Sequence, residues 1–494
     1  MSKPNILCVC TDQQRADHCR REGFPLDTTP FLDQLASQGM WFDRAYTSMP
    51  VCAPARVSML TGRYPSAHRV RTNHNIKDAY YDRDLFDVFR DGGYATALVG
   101  KNHSHLARES TDLWYPCGHW ADRTAQEKAF DDWLKTTHMH MSIEPSPYPV
   151  ECQIPHRLVS AAQRWLESLD GRPFLLWLSF PEPHNPYQVP EPYYAMFPPD
   201  ALPAPEAGAE YLDAKGFQYQ FCRDSFPKAF PDFVEQLDRA RANYMGMLRL
   251  LDDQVKRFVE FLEETGLREN TIIVFVSDHG DFVGEYGLMR KGAGLSEPLV
   301  RIPMQFAGPG ILPGASPHPA HVSIADVMPT LCEAAGIPIP DGVQGRSLWP
   351  LLTGESYPEG EFASAYVEHG FGGLHYTGGE ELDPAEDGLT AAADEEWGFY
   401  DSLNSRTQSG QTRMVRKGDW KLVFDMQGSA QLYNLTHRPP EVTNLYDQPE
   451  TAGKRQELLE DLLMWRLRVE DPLPMPRKRY VMKRDPRNYW TPFP

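Results

Sequence analysis

Apolar residues along this chain come in short unbroken runs that stop abruptly at polar clusters. Asn5-Ile6-Leu7-Cys8-Val9-Cys10 ends in Thr11-Asp12-Gln13-Gln14, and Tyr94–Val99 ends in Gly100-Lys101-Asn102-His103. Phe174–Ser179 ends in Pro181-Glu182-Pro183-His184, and Thr271–Ser277 ends in Asp278-His279-Gly280. Runs that are apolar at nearly every position, not at alternate ones, are the pattern of strands buried on both faces. Between them lie segments with helical character: Phe31–Gly39, Leu85–Arg90 stopped by Gly92-Gly93, the amphipathic Arg157–Leu169, and Arg239–Thr265. In the last of these, Met245, Leu248, Leu251, Val255, Phe258 and Leu262 mark one face. The alternation predicts an α/β fold, a large and mostly parallel sheet sandwiched by helices. Ligands of such sheets sit beyond the carboxyl ends of the strands. Four strand ends would then deliver Asp12 and Gln13, Lys101 and His103, His184, and Asp278 with His279 to one edge.

The pattern changes near residue 370. Proline and glycine density rises first, through Gly308–Pro319 and Gly336–Pro350. Thr412–Lys417, Trp420–Asp425 and Gln431–Leu435 then read as short strands separated by turns, an antiparallel sheet followed by a helix from about Glu450 to Glu470. The expected division is a catalytic α/β unit over 1–370 and a smaller α+β unit over 371–494. The Pro-rich tail Pro472–Pro494 reads as an extended arm that could lie on a neighbouring subunit and so support a homo-oligomer; a frayed terminus is the other reading.

Composition narrows the function. With 68 acidic against 49 basic residues the formal charge is −19, which argues against a nucleic-acid binder. Any anionic substrate must be drawn by a local positive site against the overall field. The longest apolar runs fall far short of the roughly 20 residues of a membrane span, so no membrane partner is expected. The N-terminal residues lack a secretory pattern, and eight scattered cysteines form no disulfide framework; both favour the cytoplasm. Cys8 and Cys10 would face the same side of their strand, as a metal pair or, better, as small buried hydrophobes.

The stretch Cys52-Ala53-Pro54-Ala55-Arg56 reads as a turn into a helix, with proline in the first turn and Cys52 at the positive helix end. Arg56 adds a planar fork for oxyanions one turn on. Asp12, Gln13, Asp278 and His279 form a mixed oxygen and nitrogen set suited to one divalent cation. Arg56, Lys101 and Lys291 could surround a tetrahedral oxyanion, and His103 and His184 could move protons. A metal and three cations around a nucleophile describe transfer of a sulfuryl or phosphoryl group.

These residues resemble the sulfatase family of the alkaline-phosphatase-like superfamily. The resemblance rests on P-N-I-L-x-V-x-x-D-Q, V-C-A-P-A-R-x-S-x-L-T-G-R-Y-P, V-G-K-N-H, P-E-P-H-N-P-Y, V-S-D-H-G-D, G-E-Y-G-L-M-R-K-G and K-G-D-W-K-L-V, in family order over nearly the whole chain. It implies hydrolysis of a sulfate ester, with Cys52 oxidised by a separate formylglycine-generating enzyme and the formylglycine hydrate as nucleophile. By the same resemblance Arg56 would hold the hydrate, Lys101 and Lys291 the sulfate oxygens, His103 would act as base and His184 would protonate the leaving oxygen. Asn73 would be a further oxyanion donor. One divalent cation is implied, calcium first and manganese as the alternative. Two departures matter. Gln13 and His279 stand where many sulfatases carry an aspartate and an asparagine, and both variants are similar to the phosphonate monoester hydrolase and phosphodiesterase branch. Ala55 replaces a commoner serine. The expected substrate is a small sulfated molecule; the alternatives are a phosphonate or phosphodiester hydrolase and an inactive anion binder with unmodified Cys52.

Overall fold

One seven-stranded sheet organises the first two-thirds of the chain. The structure is a computed structural model that describes residues 3–116, 123–292, 294–373, 409–471 and 486–490. Its strands are β1 (Asn5–Asp12), β2 (Met40–Trp41), β3 (Ala45–Tyr46), β4 (Ala95–Gly100), β5 (Leu113–Pro116), β6 (Phe174–Pro183), β7 (Thr271–Ser277), β8 (Met304–Ala307), β9 (Val322–Ser323), β10 (Ser364–Gly372), β11 (Gly410–Lys417), β12 (Trp420–Asp425) and β13 (Ala430–Asn434). The large sheet has the order β2-β8-β7-β1-β6-β4-β5. Neighbours from β7 to β5 pair in parallel, and β8 runs antiparallel to both β7 and β2. The sheet is thus mixed but mostly parallel, as the apolar runs predict.

Side-chain alternation along the buried strands feeds two cores. On one face Ile6, Cys8 and Cys10 of β1 pack with Leu175 and Trp177 of β6 and with Val274 and Val276 of β7. The Cys52–Thr61, Leu85–Asp91 and Val327–Ala334 helices cover this face. On the other, Leu7 and Val9 join Leu176, Leu178, Ile273 and Phe275 beneath the Ile154–Glu167 and Phe233–Glu264 helices. Cys8 and Cys10 are therefore core hydrophobes, with burial pushing both thiols up.

The second sheet is antiparallel, β10-β11-β12-β13, with the Ala452–Glu470 helix packed on it. Its edge strand β10 begins at Ser364, ahead of residue 370. Tyr64, from the G-R-Y-P segment, joins this core and packs against Tyr366 and Trp465. The acidic stretch Glu380–Glu396 and most of the tail lie outside the described residues. The tail's residues 486–490 sit on their own chain: Arg487 Nε donates to Glu333 (2.9 Å) and Asn488 Nδ2 to the Val343 carbonyl (2.8 Å). Among the described residues, no helix is long and apolar enough to cross a membrane.

Candidate active site

The helix Cys52–Thr61 starts at Cys52 itself, so Pro54 is its third residue and still lies in the first turn, where backbone N–H groups lack intrahelical acceptors. The Ala53 N–H donates to Asn73 Oδ1 (3.0 Å), which caps the helix from outside. Asn73 is thereby placed beside Cys52, with its side-chain oxygen committed to this cap. Cys52 is 1% exposed. Its Sγ lies 3.2 Å from His279 Nε2 and 3.6 Å from Asp12 Oδ1.

Parallel pairing brings the donors together. β1 lies between β6 and β7, so Asp12 and Asp278 leave adjacent strand ends. Arg56, on the first face's helix, reaches across both: Nε donates to Asp278 Oδ2 (2.8 Å) and Nη2 to Asp12 Oδ2 (3.1 Å). Its Nη1 donates to Ser179 Oγ (2.7 Å) and the Lys101 carbonyl (3.2 Å). The guanidinium is fully buried and fully committed, so it sets the two carboxylates. Lys101 Nζ lies 2.5 Å from Asp12 Oδ2. It follows Gly100, whose φ of +111° and close approach to the Ser179 carbonyl admit no Cβ. Lys291 Nζ donates to Gln13 Oε1 (2.9 Å).

Gln13 itself is held in the left-handed region (φ 70°), with its backbone N–H on Asp278 Oδ1 (3.0 Å) and its Nε2 on Asp281 Oδ2 (2.6 Å). Asp281 also accepts from Tyr187 Oη (2.6 Å) and from the Val283 and Arg290 N–H groups, and so fixes the amide with its oxygen toward Lys291. Sequence reasoning singled out Asp278 and His279 but missed Asp281, although it closes the same V-S-D-H-G-D motif.

Electrostatics follow this geometry. Burial alone would raise the Asp12 carboxyl, but Lys101, His184, Arg56 and Lys291 hold it well below the usual carboxylate range. Burial and Asp12 push Asp278 up to about 6. Burial and the Asp12 charge oppose ionisation of Cys52, yet Lys291, Lys101 and His279 bring the thiol well below its ordinary value. Burial, reinforced by Lys291, lowers His184 to about 3, and burial also lowers His103, so both rings are neutral at pH 7 in the free site. Arg56, Lys101 and Lys291 gather three cations at Asp278, Asp12 and Gln13. That is the local anion attraction which the −19 chain requires.

Ligand atoms of Asp12, Cys52, Asp278 and His279 all lie within 4.8 Å of one another. His279 Nδ1 lies 2.9 Å from the Gly280 carbonyl, a contact that keeps the proton on Nδ1 and the Nε2 lone pair turned inward. The cluster fits a divalent cation, while Gln13 Oε1 accepts from Lys291.

One neighbour of the site carries a separate prediction. Burial raises the Glu182 carboxyl to about 8, and its Oε2 has no partner among the described residues. Between about pH 4.5 and 8 the unfolded chain loses this proton while the folded chain keeps it, so stability falls as pH rises through that window. Glu182→Gln should match the unsubstituted protein in thermal unfolding at pH 4. At pH 9 it should exceed it by up to roughly 5 kcal/mol.

Comparison with known proteins adds lineage to this geometry. The chain matches the family described as Sulfatase over residues 4–337. It is 28% identical to an arylsulfatase of Clostridium perfringens, over 91% of this chain and 91% of that protein. It is 29% identical to a choline-sulfatase of Rhizobium meliloti, over 90% of this chain and 83% of that protein. Among solved structures, the phosphonate monoester hydrolase of Agrobacterium radiobacter superposes with a TM-score of 0.76 at 26% identity, covering 94% of this chain and 96% of that one.

Proposed function

The chain belongs to the sulfatase family of hydrolases, and from that premise we propose that it cleaves a small sulfate ester through a formylglycine hydrate made from Cys52 by a separate modifying enzyme. The observation that carries the reading is the gathering of three cations beside Cys52: buried Arg56 across two carboxylates, with the half-buried Lys101 on Asp12 and Lys291 on Gln13. Lys101 and Lys291 would leave Asp12 and Gln13 for the sulfate oxygens. One hydrate oxygen would attack sulfur in line with the departing alcohol, forming the new S–O bond as the ester S–O bond breaks. His184, protonated as substrate binds, would give that proton to the leaving oxygen, because the bound sulfate opposes the burial and the Lys291 charge that keep the ring neutral in the free site. His103, neutral through burial, would then take the proton of the second hydroxyl, so that the aldehyde reforms and inorganic sulfate leaves. A divalent cation on Asp12, Gln13, Asp278 and His279, calcium or manganese, would polarise the ester and favour the ionised hydrate.

A second reading has its own support. Gln13 and His279 give fewer anionic ligands than two aspartates would, and the fold superposes closely on a phosphonate monoester hydrolase. Parallel assays on an aryl sulfate, an aryl phosphodiester and phenylphosphonate, with protein co-produced with a modifying enzyme, separate the two. The expected result is the highest kcat/KM for the sulfate; higher efficiency on the phosphonate or diester overturns it.

A further inference from the structure

We propose that, in protein whose position 52 has not been converted, the Cys52 sulfur is itself a metal ligand, completing a four-coordinate site with His279, Asp12 and Asp278 that takes a thiophilic ion such as zinc. The donor distances carry the argument. Tetrahedral zinc with Zn–S of about 2.3 Å and Zn–N or Zn–O of about 2.0–2.1 Å sets neighbouring donors about 3.3–3.6 Å apart. Here Sγ to His279 Nε2 is 3.2 Å, Sγ to Asp12 Oδ1 is 3.6 Å and Asp278 Oδ1 to His279 Nε2 is 3.7 Å. All four side chains are buried and their ligand atoms lie within 4.8 Å of one another, so small side-chain shifts would draw the donors onto one ion with little solvent to displace.

Each donor is also held from behind. The Gly280 carbonyl fixes the His279 tautomer. Arg56 and Lys101 occupy Asp12 Oδ2, leaving Oδ1 on the sulfur side, and Arg56 occupies Asp278 Oδ2. Supporting contacts of this kind orient ligands and tune the ion they select. Binding would release the Cys52 thiol proton to solvent and form the metal–sulfur bond, since the thiolate is the ligand. Conversion to formylglycine replaces this sulfur with oxygen and leaves a harder donor set, two carboxylates, an amide oxygen and one imidazole, suited to calcium or manganese. The ion held would thus report whether position 52 has been converted, and zinc would occupy the immature form.

The inference rests on the cage of the proposed function, but its test needs no turnover. Full-length protein produced without a modifying enzyme is titrated with cobalt(II) chloride and followed by absorption. The expected result is one equivalent bound, intense visible bands of four-coordinate cobalt, a near-ultraviolet sulfur-to-cobalt band, and displacement by zinc. Cys52→Ser, folded by circular dichroism, should lose the sulfur band and bind zinc at least about tenfold more weakly. X-ray absorption on the zinc-loaded unsubstituted protein should find one sulfur at about 2.3 Å, a measurement that needs no variant. Oxygen and nitrogen scatterers only, or a near-ultraviolet band that persists in Cys52→Ser, overturns the sulfur ligand and leaves the hydrolase reading standing. Failure of both converted and unconverted protein to bind any divalent ion overturns the cage and both readings with it.

Discussion

Cys52→Ala is expected to lower kcat/KM on an aryl sulfate by at least ~10⁴-fold in protein co-produced with a modifying enzyme. On the proposed reading the change removes the nucleophile but leaves the cations, so inorganic sulfate should still bind and protect against thermal unfolding. Cys52→Ser divides the cycle. A serine hydroxyl can accept the sulfuryl group, but it has no second hydroxyl on the same carbon to expel it. The variant should therefore release at most one equivalent of alcohol and then stop, with the sulfate ester retained on residue 52. Protein produced without the modifying enzyme should sit at the same activity floor. The peptide spanning Cys52 should be about 18 Da lighter in active protein, in proportion to activity. Full activity in Cys52→Ala would remove the nucleophile assignment.

Much of this arrangement was legible in the sequence because the physics that sets it is local or periodic. Ile6–Cys10, Leu175–Leu178 and Ile272–Val276 are apolar at every position and 0–1% exposed, so their burial on both faces could be read directly. The two-residue strand Met40–Trp41 could not be read, nor could Met304–Ala307, whose antiparallel direction depends on its partner Thr271–Ser277 and not on its own composition. At the site, Asp12 and Asp278 could be named from strand ends alone. Asp281 could not, since its work is a through-space grip on Gln13 and Tyr187. The place of Arg56 one turn after Cys52 suggests only a fork for oxyanions, and the family resemblance makes it the holder of the hydrate. Its four contacts show it spent on Asp278, Asp12, Ser179 and the Lys101 carbonyl, partners 44 to 222 positions away in the chain.

That commitment makes Arg56→Met the most destabilising single change expected at the site. Removing the guanidinium leaves two buried carboxylates sharing one lysine, and breaking a buried pair from one side costs about 3–5 kcal/mol. The sign with pH follows from the two acids. Asp12 is held below its ordinary value partly by Arg56, so part of its stabilisation, present above the unfolded value near 3.8, is lost in the variant. Asp278 already lies at about 6 through burial and Asp12, and without Arg56 it rises further, which deepens the penalty as pH climbs. The deficit in thermal midpoint against the unsubstituted protein should be largest near pH 8 and shrink toward pH 4, where Asp278 is protonated in both proteins. A divalent cation supplied at neutral pH replaces the missing positive charge between the same two carboxylates, so it should raise the midpoint of Arg56→Met more than that of the unsubstituted protein. An equal gain in both proteins would mean that the ion binds elsewhere, and an unchanged midpoint in Arg56→Met near pH 8 would mean that the carboxylates are already neutral in the fold.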